Sequence, residues 1–228
     1  MSFYQNLQEA TAAERATLLS LPFIQAGAAG ELSLHSYVAF LGQAYHHVKH
    51  TVPLLMACGA ALPSRLEWLR SAVAEYIDEE LGHEEWILND LRNCGADAEA
   101  LRESQPLLAT ELMVAYAYDT IQRRNPVAFF GMVQVLEGTS IQVATRAAEA
   151  LQASLGLQGA AFSYLKSHGS LDISHVEFFE KLMNRIDDPQ DQADIIHCAQ
   201  VMYRLYGDIF RSLPLQLQHE EVGNAAAG

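Results

Sequence analysis

Positive charge is scarce in this chain. Its 228 residues include 14 Lys or Arg against 28 Asp or Glu, a formal net charge of −14, with no basic cluster standing out from that background. A nucleic-acid or anionic-membrane surface gathers Lys and Arg on one face, so neither partner is expected. Cysteine is scarcer still. Cys58, Cys94 and Cys198 are odd in number and lack CxxC spacing, which indicates neither a disulfide framework nor a zinc ribbon and suits a reducing cytoplasm. The N-terminus, MSFYQNLQEATAAERATLL, is polar and acidic where a signal peptide is basic and then apolar. No apolar run is expected to reach the length of a membrane span, so a soluble cytoplasmic protein is anticipated. GxSxG, P-loop and GxGxxG patterns are also missing, which argues against serine hydrolase, phosphoryl-transfer and Rossmann chemistry.

What the chain has in quantity is helical patterning. Half of it is hydrophobic, ample for one sizeable core, and the apolar residues recur at helical spacing between short Gly, Pro, Asn and Asp punctuation. The pattern predicts an all-α bundle of about seven helices, over roughly 4–19, 34–61, 63–95, 106–124, 127–155, 160–186 and 190–212. SLPFIQAGAAGELS is expected to be a loop between the first two. A single domain over 1–216 and a disordered tail over 217–228 are the simplest organisation, since no repeat, linker or low-complexity block marks a second domain.

Three of these helices carry ionisable residues where a plain bundle would place Leu or Ala. In SHGSLDISHVEFFEKL, His168, Asp172 and His175 lie four and seven residues apart, so on an α-helix they fall within about 40° of one direction. In DEELGHEEWILNDL, Glu80 lies three residues before His83, with Glu79 the close alternative. In FFGMVQVLEGTSIQVA, Glu137 is the only charge between Arg124 and Arg146. A carboxylate so placed is buried with partners or aimed at a cavity. Each signal has a plainer reading: the acidic run as a solvated face, Glu137 as a partner of Arg123, Arg124 or Arg146. Together they give three carboxylates and three imidazoles, the donor inventory of a pair of iron or manganese ions held inside a bundle.

QAYHHVKH adds His46 and His50, one turn apart. These two, with Tyr45 and Phe130, are the expected substrate-pocket residues, against the plain alternative of helix histidines beside Lys49. The cysteines read as small buried hydrophobes or an inert helix-end thiol.

The order Glu80-xx-His83, Glu137, His168-xxx-Asp172-xx-His175 resembles the haem-oxygenase-like di-metal oxidases, the iron-containing redox branch of the TenA/THI-4/PqqC superfamily, over roughly residues 20–212. The resemblance implies a haem-oxygenase-like fold and a non-haem di-iron, dioxygen-dependent oxidoreductase. Its substrate would be a fatty acid, an amino acid or a derivative of one, with manganese as the alternative metal, and it would function as a homodimer supplied by an external electron donor. Carried over by position, Glu80, His83, Glu137 and His168 serve mainly one iron, and Asp172, His175 and bridging Glu137 the other. The first glutamate of the family commonly lies farther before the histidine; seven before His83 this chain has Tyr76. The TenA-type hydrolases of the same superfamily carry Gln-Asp-Tyr on the second helix and a nucleophilic Cys on the helix that here bears Glu137. This chain has Gln43-Ala44-Tyr45, and no Cys between Cys94 and Cys198. A haem oxygenase needs a proximal His on its first helix, and the predicted first helix has none. The remaining rivals are a metal-free enzyme of thiamine or pyrroloquinoline-quinone metabolism and a non-enzymatic binding module.

Overall fold

The computed structural model describes residues 1–218, all but residues 168–175 with their side chains. Twelve α-helices make up most of that span: α1 (Phe3–Ala10), α2 (Ala12–Leu19), α3 (Pro22–Ala29), α4 (Leu34–Val48), α5 (Thr51–Ala61), α6 (Glu67–Glu80), α7 (His83–Asn93), α8 (Ala98–Arg102), α9 (Leu108–Asp119), α10 (Phe130–Leu155), α11 (Ser163–Met183) and α12 (Pro189–Ser212). An isolated antiparallel bridge joins Leu32 to Leu217. The all-α expectation holds; the count of about seven does not, because several predicted helices are divided by local chemistry that hydrophobic spacing does not register.

The first predicted helix opens with a Ser2–Gln5 capping box and ends at Thr11, whose hydroxyl donates to the Leu7 carbonyl at 2.8 Å. A separate helix, α2, then follows. The predicted loop contains α3, which starts with Pro22 at its first position and stops at Gly30 with φ 72°, the usual asymmetry of helix ends. The second predicted helix divides between Val48 and Thr51. Pro53 lies in the first turn of α5, where its missing N–H is harmless; in one continuous helix it would remove a bond and clash with the carbonyl four residues earlier. The third divides at Leu81-Gly82, where Gly82 adopts φ 88°.

Helix α10 runs through the middle of the bundle and packs on α3, α11 and α12. With its leading turn, Pro126–Leu155 is long and apolar enough to cross a membrane by length and composition, contrary to expectation, yet 56% of that apolar window is buried inside the bundle. Its contact with α12 needs Gly131: a Cβ there would meet the Ala199 amide nitrogen and the Ile195 carbonyl oxygen, each at 2.6 Å.

Two polar anchors fix the helices around it. Arg65, just before α6, reaches Asp191 on α12 through two bonds of 2.7 and 3.0 Å, and Asn125 donates to the same carboxylate at 3.0 Å. Asp90 on α7 is fully buried and caps α11: it accepts from the backbone N–H groups of Ser163 at 3.0 Å and Tyr164 at 2.9 Å and from the Ser163 hydroxyl. A carboxylate satisfies the orphan amides and the partial positive charge of a helix start.

Two outcomes follow for stability. Gly131→Ala forces α10 and α12 apart and lowers the unfolding free energy by about 1–3 kcal/mol, read as a shift of the urea midpoint at unchanged slope. Asp90→Ala strips the cap from α11 and leaves buried donors unpaired, a loss of about 2–3 kcal/mol in the same measurement.

Candidate metal centre

Glu80 ends α6 and His83 begins α7. They stand on either side of a break, since extended Leu81 and left-handed Gly82 end one helix and start the next, and not on one continuous helical face as the spacing suggested. The His83 Nδ1 lies 3.0 Å from Glu80 Oε2, with 3% of the imidazole and 14% of the carboxylate side chain exposed. Trp86 stacks on the His83 ring at 4.1 Å between centroids. Glu79 is exposed, which makes Glu80 the inward carboxylate of the pair.

A cavity opens beside Glu80, and Glu137 on α10 lines it too. Leu54, Leu55, Phe129, Met132 and Leu136 give it apolar walls. The structure therefore brings Glu80, His83 and Glu137 to one region. His168, Asp172 and His175 lie outside the described residues, on α11, which packs along α10 and α7. Among the described residues, no three His, Cys, Asp or Glu side chains group closely enough to hold an ion by themselves.

The substrate-pocket expectations fare differently. His46 and His50 line another cleft, with Lys49, Gln105, Thr110 and Glu111. There His46 Nε2 lies 3.0 Å from the Ser104 hydroxyl, and His50 Nδ1 lies 3.3 Å from the Tyr118 hydroxyl. Tyr45 is buried against the edge of His46, away from the carboxylates. Phe130 is fully buried core beside Phe129, and Phe129 is the ring on the cavity wall. One residue earlier or later on the helix is a turn of about 100°, enough to exchange cavity for core.

Two cavity residues escaped the sequence reading. His47, 3% exposed, faces the carboxylate cavity and meets Tyr206 edge to face at 5.9 Å. Helical spacing gives no signal for it, because the helix divides between Val48 and Thr51. Tyr76, one turn before Glu80, is 2% exposed and lines the cavity, and its hydroxyl has no hydrogen-bond partner among the described residues. Burial, with the charges of Glu137, Glu79 and Glu80, holds that phenol well above its ordinary range. A buried unpaired hydroxyl costs about 1–3 kcal/mol.

A second, more apolar chamber adjoins the first, and Ser140, Tyr164 and Tyr206 line both. Its remaining walls include Phe23, Ile24, Phe40, Val143 and Phe210.

Residues 38–207 match the family model described as iron-containing redox enzyme. The chain belongs to that family. None of the proteins of curated function matches it in sequence. Among solved structures, it is similar to a domain of unknown function with a haem oxygenase-like fold from Shewanella denitrificans, at 24% identity and a TM-score of 0.81 over 91% of this chain and 90% of that one. A TenA homologue from Pseudomonas syringae aligns at 14% identity and a TM-score of 0.78, covering 92% of this chain and 91% of its own. Haem oxygenase-1 from Synechocystis, in complex with haem, aligns at 13% identity and a TM-score of 0.72 over 100% and 97%. These likenesses establish the haem-oxygenase-like fold of this iron-containing redox enzyme family member.

The His46 cleft carries its own prediction. Burial first, then the charges of Lys49 and His50, lower His46 from 6.5 to about 4. Between those values the unfolded chain binds a proton that the folded protein refuses, so stability is lost as pH falls from about 6.5 towards 4. Urea midpoints measured across that window should fall less steeply in His46→Gln than in the parent.

Proposed function

We propose that this protein is a non-haem di-iron oxidase that uses dioxygen to oxidise a small organic molecule. The observation that carries the reading is the shielded contact between Glu80 and His83 beside a cavity that Glu137 also lines. Placing ionisable groups in an apolar interior is costly without compensating partners, and cations shared among them supply that compensation. Carboxylate oxygens and imidazole nitrogens suit iron, and manganese nearly as well. Glu80, His83, Glu137 and His168 would hold mainly one ion, and Asp172, His175 and Glu137 the other.

Reduced iron held there would supply the electrons for dioxygen chemistry. The protein's own contribution is positional. Glu80 orients the His83 ring, and Trp86 stacks against its face. Leu54, Leu55, Phe129, Met132 and Leu136 give the carboxylates apolar walls, and an apolar wall strengthens the polar interactions beside it. The adjoining apolar chamber receives the substrate's hydrocarbon body, with Ser140, Tyr164 and Tyr206 at the junction. Within the range of fatty acids, amino acids and their derivatives, that lining favours a substrate with an apolar chain over a free polar amino acid. An external electron donor would be required to keep such a centre reduced.

Anaerobic loading with ferrous iron, followed by metal analysis and dioxygen uptake against a panel of fatty and amino acids, tests the reading. Two irons per chain and substrate-stimulated uptake are expected. His83→Ala and Glu137→Ala should weaken iron retention by at least ~10–100-fold and abolish uptake. A protein that retains no iron would instead favour the metal-free branch of the superfamily.

A further inference from the structure

Tyr76 stands on the wall shared by Glu80 and Glu137, and its hydroxyl is buried without a hydrogen-bond partner among the described residues. The residue is 2% exposed, so it lies away from the protein surface. Two carboxylates line the same cavity, yet the hydroxyl donates to neither. Its ring is fixed from behind by Phe178, 5.4 Å away between centroids, which leaves little freedom to turn the oxygen elsewhere.

Position on the helix supports a shared purpose. Tyr76 and Glu80 are four residues apart at the end of α6, one turn, so both project from the same face. The charge count points the same way. Three carboxylates offset only half the charge of two ferric ions, and a further hard, anionic oxygen is the donor such a pair prefers. A bound cation reverses the local electrostatics: the carboxylates that oppose ionisation of the phenol without metal are neutralised, and coordination drives the proton off, as it does for metal-bound water and thiols.

We propose that Tyr76 is an additional ligand of the metal centre, its phenolate oxygen binding iron in the ferric state with release of the phenolic proton to solvent. The inference rests on the di-iron reading of the same cavity and adds a donor to it. It gives the resting oxidised protein a property that carboxylate and imidazole ligands do not provide: a phenolate-to-iron(III) charge-transfer band in the visible spectrum.

The full chain is loaded with ferrous iron under anaerobic conditions and oxidised with air; iron content and the visible spectrum are then recorded for the parent and Tyr76→Phe. The expected result is a coloured parent and a Tyr76→Phe protein that retains iron but loses the band. Resonance Raman spectra of the parent, grown with ring-deuterated tyrosine, should show shifted phenolate modes on excitation in the band, a measurement that does not depend on the variant folding. Iron-loaded parent without the band, or a band that persists at full strength in Tyr76→Phe, overturns the inference while leaving the di-iron reading intact. A parent that binds no iron overturns both.

Discussion

The buried carboxylate of Asp90 fixes the register between two helices of the proposed metal centre. It lies on α7, two turns beyond His83, and both side chains are buried. Its two oxygens take the first backbone amides of α11, so the start of α11 cannot shift along α7 without leaving a desolvated charge and orphan N–H groups. Helix α11 bears His168, Asp172 and His175; α7 bears His83. One cap therefore sets the register of α11 against α7. Gly131 performs the corresponding task for α10, holding Glu137's helix hard against α12 by backbone contact that no larger residue permits.

The second constraint is the bend at Leu81-Gly82. An uninterrupted helix would already place residues 80 and 83 near one face, but it would carry both onward in the direction of α6. Ending α6 at Glu80 and restarting at His83 lets α6 present Tyr76 and Glu80 to the cavity while α7 turns away to meet α4 and α11. The imidazole then backs the carboxylate at 3.0 Å. The result is a polar edge on an otherwise apolar pair of chambers, an arrangement suited to holding a reactive centre at one end of a hydrocarbon-lined site.

Much of this was legible in the residues. Helical periodicity gave the all-α class, and the breaks at Asn125-Pro126 and Asp188-Pro189 fell where proline demands them. Glu137 stood out because charge is absent around it, and the structure brings it to the wall of a cavity. What spacing could not reveal were events of a single residue. Gly82 sits within an acidic helical run and differs from a tolerated helix glycine only by its positive φ. Pro53 divides one long apolar pattern without disturbing its period. The PFIQAGAA segment was passed over because its small residues resemble a loop, although Pro22 and Gly30 bracket a helix. The histidine cluster shows the limit most clearly. His46 and His50 do share a cleft, as their spacing requires, but it is a different cleft; His47, one residue out of phase, lines the cavity of the carboxylates.

The central claim is that Glu80, His83 and Glu137 converge with the three α11 donors on two metal ions. Anomalous diffraction at the iron edge, from crystals of protein loaded anaerobically with ferrous iron, tests it most directly. The account predicts two peaks in the cavity beside Glu80 and Glu137, one ligated by His83 and the other by His175. A single ion elsewhere, such as in the His46 cleft, or no iron at Glu137 in crystals soaked to saturation, would contradict it.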